Sequence, residues 1–293
     1  LTPVGAFLIV LILVVCLITP LLPLIDPDET DLAVRLETPF NARHWLGTDE
    51  LGRDLLSRLL WGTRVSLAVG FAATFAAALI GSTIGLVSGY FGGRIDSLLM
   101  RLIDTIWAFP YLLLALAIVA AFGPGLLNAL MAIAIVNIPF FARTVRGTTI
   151  TLTNREFVMA ARTSGAGHLD ILFRELLPNV LPTIVVTIST TAGWMILETA
   201  GLSFLGLGAQ PPTADLGSML GEGRKVLFTA PHVSTIPGVL ILILVISLNL
   251  FGDGIRDILD PRLRGGAIRS PKAFTEVEHV EPVNQSADSE GSR

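Results

Sequence analysis

Six stretches of this chain are each long and apolar enough to cross a bilayer, near residues 4–25, 65–90, 98–122, 126–143, 180–205 and 233–251. A hydrocarbon core of about 30 Å takes about 20 residues at helical rise, and a helix satisfies its own backbone groups there. The expected fold is therefore all-α, a polytopic membrane protein with six transmembrane helices. Composition agrees. Of 293 residues, 52% are hydrophobic and only 15% charged, too apolar for an ordinary soluble domain.

The first run resembles a secretory signal only superficially. Its apolar region is too long, no small-residue cleavage site follows, and the next residues are acidic, so it reads as a retained anchor. The net charge of −4 conceals clustering, with acids concentrated at 26–54 and again after Ala273. No basic stripe with interleaved aromatics marks a nucleic-acid surface. The single cysteine, Cys16, has no intrachain partner. His44, His168, His232 and His279 are scattered, whereas metal sites need clustered ligands, so no metal site is expected.

Orientation follows from the basic residues, which favour the cytoplasmic side. With the amino terminus inside, the outer loops and flanks hold Arg35, Arg43, Arg53, Arg58, Arg64, Arg224 and Lys225, seven of the twenty. Both termini are thus expected in the cytoplasm of a plasma (inner) membrane protein, and so is the connection 144–178. Three parts result: an anchor with an extracytoplasmic segment (1–64), a transmembrane unit (65–265), and a cytoplasmic tail (266–293). The tail, rich in Glu and Ser with few large apolar residues, is expected to be disordered.

Irregularities within the spans carry more information than their lengths. Pro110, Pro139 and Pro182 each lack a backbone donor and can kink a helix. Gly81, Gly85 and Gly89 recur every four residues, so they line one face and allow another helix close. That face reads as packing first, with a hinge as the other reading. Polar groups in lipid usually face the bundle interior. Asp104, Asn137, Glu198 and Asn249 are accordingly candidates for a translocation path. Glu198 is the deepest carboxylate, whereas Asp104 and Asp253 lie nearer helix ends, where Arg101 and Arg256 offer partners. A proton relay would want several carboxylates at matching depth, and one is available.

The connection 144–177 is too long for a simple helix-to-helix turn. Within it runs EFVMAARTSGAGHLDILFRELLP, residues 156–178. Residues 155–164 suit a helix, with Phe157, Ala160, Ala161 and Ser164 on one side, flat enough for a partner's groove. Gly165 can end that helix in the left-handed conformation and Gly167 permits a second turn. The pattern predicts a helix, a glycine elbow and a second helix. A helix lying on the inner lipid surface, with Arg155, Arg162 and Arg174 toward headgroups, is the other reading.

The segment resembles the cytoplasmic loop of binding-protein-dependent ABC importer permeases. Their pattern runs Glu-Ala-Ala, three residues, Gly, nine residues, Ile, one residue, Leu-Pro. Ala160, Ala161, Gly165, Leu177 and Pro178 match it at the expected spacing. Met159 stands in place of the pattern's Glu and Glu175 in place of its Ile. Further stretches extend the resemblance over residues 1–265: HWLGTDELGRDLLSRLLWGTRVSL, RLIDTIWAFP, FGPGLLNALMAIAIVNIPFFAR, LSFLGLGAQPPTADLGSMLGEGR and FGDGIRDILDPRLR. They are similar to the dipeptide/oligopeptide/nickel branch, and within it to the second of two permease subunits.

The resemblance implies a MetI-like fold and a subunit that carries peptides without itself being an enzyme. No Gly-rich Lys-Ser/Thr phosphate cradle is present, so ATP and magnesium would act on two cytoplasmic ATP-binding subunits. The other implied partners are a homologous permease subunit and an extracytoplasmic substrate-binding protein, with docking surfaces at 210–224 and 26–54. ATPase contacts are expected from Arg155, Glu156, Phe157, Met159, Ala160, Ala161 and Arg162. Gly165, Asp170, Leu177 and Pro178 complete the expected ATPase-coupling set. An ion-gradient-driven secondary transporter is the alternative; it would need inverted repeats and a midplane ion site, and no clear repeat is visible. A membrane hydrolase would need an HExxH or GxSxG arrangement, which the sequence lacks.

Overall fold

The computed structural model describes residues 2–259, and over them the regular structure is helical apart from one isolated bridge, Thr48 to Asp54. The expected tail 266–293 lies outside the described residues. Helix α1 is Thr2–Ile18. An irregular segment with two short 3-10 turns then leads to α2, Leu55–Phe91. The bundle continues with α3 (Gly93–Trp107), α4 (Tyr111–Phe122) and α5 (Leu126–Thr153). Then come α6 (Glu156–Thr163) and α7 (His168–Asp170), followed by a wide π turn at Ile171–Leu176 and α8 (Leu177–Phe204). The short α9 (Leu216–Gly223) precedes α10 (His232–Leu259).

The expected uninterrupted third span, 98–122, is two helices. The axes of α3 and α4 meet at 88°. Pro110 accounts for the break: it has no N–H, it keeps its neighbour out of helical geometry, and at φ −56° and ψ 122° it starts α4 afresh. Among the described residues, five helices are therefore long and apolar enough to span a membrane, or six when the bent pair counts as one. Pro139 and Pro182 lie inside continuous helices, as does Pro237 in α10.

The fourth span does not stop near 143. Helix α5 runs on to Thr153, and α7, the π turn and α8 form one continuous apolar helix from His168. The connection 144–177 is thus mostly helix, and an arm held by two long spans is a stiffer object than a loop.

Helices α2 and α5 pack along each other through the glycine face. A Cβ on Gly81 would fall 2.6 Å from the Ile138 carbonyl oxygen, one on Gly85 2.4 Å from the Ala142 oxygen, and one on Gly89 2.7 Å from Thr149 Cβ. Close backbone approach is the way helices associate in lipid, where no hydrophobic force separates them from solvent. Gly85→Val is accordingly expected to cost about 1–3 kcal/mol through overpacking. Its recovery from membranes as monodisperse protein should fall, which size-exclusion chromatography will read.

Four apolar clusters hold the described chain together, the smallest of them packing Ile103 of α3 on Ile138 and Ala142 of α5. One joins Ala73 and Ala77 of α2 to Val119 of α4, Phe141 of α5 and Leu202 of α8. A second joins Ile9 of α1 to Leu59, Ile196, Leu216 and Leu244. The third, around Leu86, Val145, Val158 and Leu176, anchors the arm.

Candidate functional site

The arm ends in a Schellman turn. Gly165 has φ +82°, the N–H of Ala166 donates to the Ala161 carbonyl at 3.0 Å, and that of Gly165 to the Arg162 carbonyl at 3.0 Å. These two bonds satisfy carbonyls that α6 would otherwise leave open. A Cβ at Gly165 would meet nothing within 4 Å, so the glycine is required by backbone angle alone.

Helix α6 divides differently from the expected Phe157, Ala160, Ala161, Ser164 face. Val158 is buried, and Phe157 and Ala161 are half-buried against the chain's own third cluster. The free surface is Arg155, Glu156, Met159, Ala160 and Arg162, with Gly165 and Asp170 also exposed. Three-and-four spacing explains this: Val158 and Ala161 turn inward together, so Ala160 turns outward. Met159, which occupies the pattern's Glu position, is 54% exposed. Leu177 is half-buried on the same cluster, and Pro178, which has no N–H to donate, lies inside the continuous helix directly after the π turn.

The arm is fixed to the bundle by a contact that the sequence did not suggest. Tyr90, at the end of α2, lies 2.8 Å by its hydroxyl from His168 Nδ1, and the Arg162 guanidinium stands 5.5 Å over the Tyr90 ring.

Deeper in the bundle, the break between α3 and α4 borders a cleft of about 460 Å³. Its walls include Trp107 and Phe109 before the break, Tyr111 after it, Asn137 and Phe140 of α5, and Thr191, Trp194 and Glu198 of α8. Irregular backbone at membrane depth is tolerated where it lines a cavity, and in transporters such broken helices mark the binding region. Glu198 is 8% exposed. Asn137 Nδ2 donates to its Oε2 at 2.7 Å and Trp194 Nε1 to its Oε1 at 2.6 Å.

Of the four path candidates, the structure brings Asn137 and Glu198 together. Asp104 stands aside, accepting from Arg143 at 2.6 Å rather than pairing with Arg101, and Arg143 in turn lies 4.5 Å over the Trp107 ring. Asn249 is exposed on α10 against Gly193, on another face of α8 from Trp194. The aromatic lining was missed. Trp194 was within reach of inspection, because four residues before Glu198 on one helix places it on the same face.

Acids at the α1–α2 end are more occupied than their clustering suggested. Asp54 caps α2 through the Ser57 N–H at 2.8 Å and meets His44 Nδ1 at 2.9 Å. Asp215 caps α9 and accepts from Ser66 at 2.6 Å. Arg53 bridges Asp49 at 2.6 Å and Glu222 at 2.8 Å. Exposed there are Asp26, Asp28 and Glu29, then Gln210, Arg224, Lys225 and Phe228, with Asp28 lying 3.5 Å from Arg58 Nη1 and Gln210 donating to the Gly206 and Gly208 carbonyls.

A helical bundle with a broken apolar helix over a cleft and an elbowed arm at one end is a membrane-embedded transport component. The family model described as "binding-protein-dependent transport system inner membrane component" matches residues 81–265, and the chain belongs to this family of ABC permeases. It is 45% identical over 261 residues to the dipeptide transport system permease protein DppC of Alkalihalophilus pseudofirmus, covering 89% of this chain and 86% of that relative. Identity is also 45%, over 260 residues, to the glutathione transport system permease protein GsiD of Pectobacterium atrosepticum, with the same coverage. Among solved structures, the inward-facing MetNI methionine ABC transporter aligns with a TM-score of 0.58 at 22% identity, over 70% of this chain and 98% of that chain. A second, an amino acid ABC transporter with histidines, gives 0.52 at 19% identity, over 72% and 94% of the two chains. These two likenesses concern the fold. The chain is a multi-pass inner-membrane permease subunit.

Proposed function

We propose that this subunit carries small peptides inward in an ATP-driven importer. The observation that carries the reading is the arm: a helix with a free outer face, ended by a glycine elbow, and fused to two spans that border the cleft. Relatives named for dipeptide and glutathione transport support the substrate class. Two cytoplasmic ATP-binding subunits hold ATP and magnesium, and one of them takes the face formed by Arg155, Glu156, Met159, Ala160 and Arg162. A homologous permease subunit completes the path. A substrate-binding protein docks on the exposed residues of the α1–α2 end, so that end is extracytoplasmic and both termini are cytoplasmic.

Coupling requires that the ATPase bind the two states of the permease unequally, since equal contacts shift nothing. With Met159 at the docking face, contact there rests on shape and apolar surface rather than an ion pair. The test uses the reconstituted complex. Ala160→Asp places a charge on the free face without touching inner packing, and Gly165→Pro forbids φ +82°. Each is expected to lower ATP-dependent uptake by more than about tenfold in an assembled complex. Intact uptake in both would contradict the reading. Uptake that persists without ATP and collapses with an uncoupler would point to an ion-gradient-driven carrier instead.

A further inference from the structure

We infer that Glu198 and the aromatic walls around it form a site for the primary ammonium at a peptide's amino terminus, within the translocation cleft. The inference rests on the peptide reading above and names the group that the cleft takes.

The carboxylate has two partners, Asn137 Nδ2 and Trp194 Nε1, and both are neutral donors. An ionised carboxylate offers about four lone-pair directions, so accepting room is left. Among the described residues that line the cleft none is Lys, Arg or His, so the carboxylate, when ionised, has no cationic counterpart there. Arg143, which stacks over Trp107, is engaged by Asp104 at 2.6 Å. Buried charges are normally paired, and here the missing partner is a cation of the size the cleft admits.

The walls suit that cation. Trp107, Tyr111, Phe140 and Trp194 all border the space, with the Tyr111 and Trp194 rings 6.5 Å apart. Aromatic faces attract ammonium groups within about 6 Å, more strongly where water is excluded. A carrier that accepts peptides of varied side chains needs contact with what they share, and the free amino terminus is one such group. The Asn137 and Trp194 bonds take one donor on each carboxylate oxygen and fix the group in the cleft wall, with acceptor capacity left on both oxygens.

The test uses the full transporter in nanodiscs on a Cys16→Ala background, with Thr191→Cys placing a thiol on the cleft wall. Labelling rates are measured with aminoethyl methanethiosulfonate, a cation, and sulfonatoethyl methanethiosulfonate, an anion. Each rate is divided by that of free cysteine. The cation is expected to be favoured by about tenfold or more. Glu198→Gln should bring the ratio close to unity, and Glu198→Asp should keep most of it. A ratio near unity with Glu198 in place overturns the inference, whether or not Glu198→Gln assembles. Glycinamide should slow labelling and N-acetylglycinamide should not; equal behaviour of the two overturns it as well. Peptide uptake by the unlabelled complex is read separately. ATP-dependent uptake without cation preference sinks this inference alone, whereas absent uptake sinks the transport reading.

Discussion

Asp49→Ala is expected to destabilise the loop layer at the α1–α2 end by about 3–5 kcal/mol, the cost of leaving buried charge without its partner. Asp49 accepts from Arg53 Nε at 2.6 Å and from the backbone N–H groups of Leu51 and Arg53 at 2.9 and 3.0 Å. It also lies 3.6 Å from Arg58 Nε, and Arg58 is 1% exposed. Removing it leaves two buried guanidiniums side by side with Glu222 as the main counter-charge. Arg58 also donates to the Pro27 carbonyl at 3.1 Å, so the segment between α1 and α2 loosens with it. Thermal unfolding in detergent should show the loss. As a control, Arg174→Ala breaks an i,i+4 pair whose side chains are 80% and 53% exposed, and should change stability by under about 0.5 kcal/mol. Equal effects of the two substitutions would deny the Asp49–Arg53–Arg58–Glu222 network its structural role.

What could be read from the chain in advance was whatever local spacing encodes. Gly165 ends α6 because a left-handed residue followed by Ala166 closes two carbonyls, a requirement that acts over six residues. Gly81, Gly85 and Gly89 announced their face through period alone, and α5 fills it. Hydropathy averages over a window, so it saw one apolar run across 98–122 and could not see an 88° corner. For the same reason it ended the fourth span at the first charges, although the helix itself continues. Partnership between distant residues was illegible. Arg53 reaches Glu222, and Asp104 takes Arg143 instead of its helix neighbour Arg101, because packing of α3 on α5 decides the distance. Nor does composition record which acids of segment 26–54 face out: Asp49 and Asp54 are committed inward, whereas Asp26, Asp28 and Glu29 are exposed.

The cleft and the arm stand at different levels of the bundle, and α5 and α3 provide a connection between them. Arg146 of α5 makes a bidentate pair with Asp96 of α3, Nε to Oδ1 and Nη2 to Oδ2, both at 2.6 Å. Ser88 of α2 donates to the same carboxylate. One turn along, Arg143 holds Asp104. Two clamps one turn apart on α5 make α3 follow α5, and the end of α3 carries Trp107 and Phe109 into the cleft wall. A displacement of the arm therefore arrives at the break as a movement of its aromatic side.

Asp96→Asn is the decisive cut in that linkage. The amide keeps the shape but loses the charge-assisted fork, worth about 1.5–3 kcal/mol for hydrogen bonds to a charged group. If the fork exists in one state of the transport cycle and opens in the other, that energy becomes about a tenfold to hundredfold shift between them. Peptide uptake is then expected to fall by at least about tenfold while ATP hydrolysis and complex assembly persist, which separates coupling from folding. The reversed pair, Asp96→Arg with Arg146→Asp, should recover part of the uptake because a two-charge contact between α3 and α5 is restored. The double-mutant cycle measures the interaction directly. Unchanged uptake with Asp96→Asn would show that α3 moves independently of α5, and the route from arm to cleft would have to run through α8 alone.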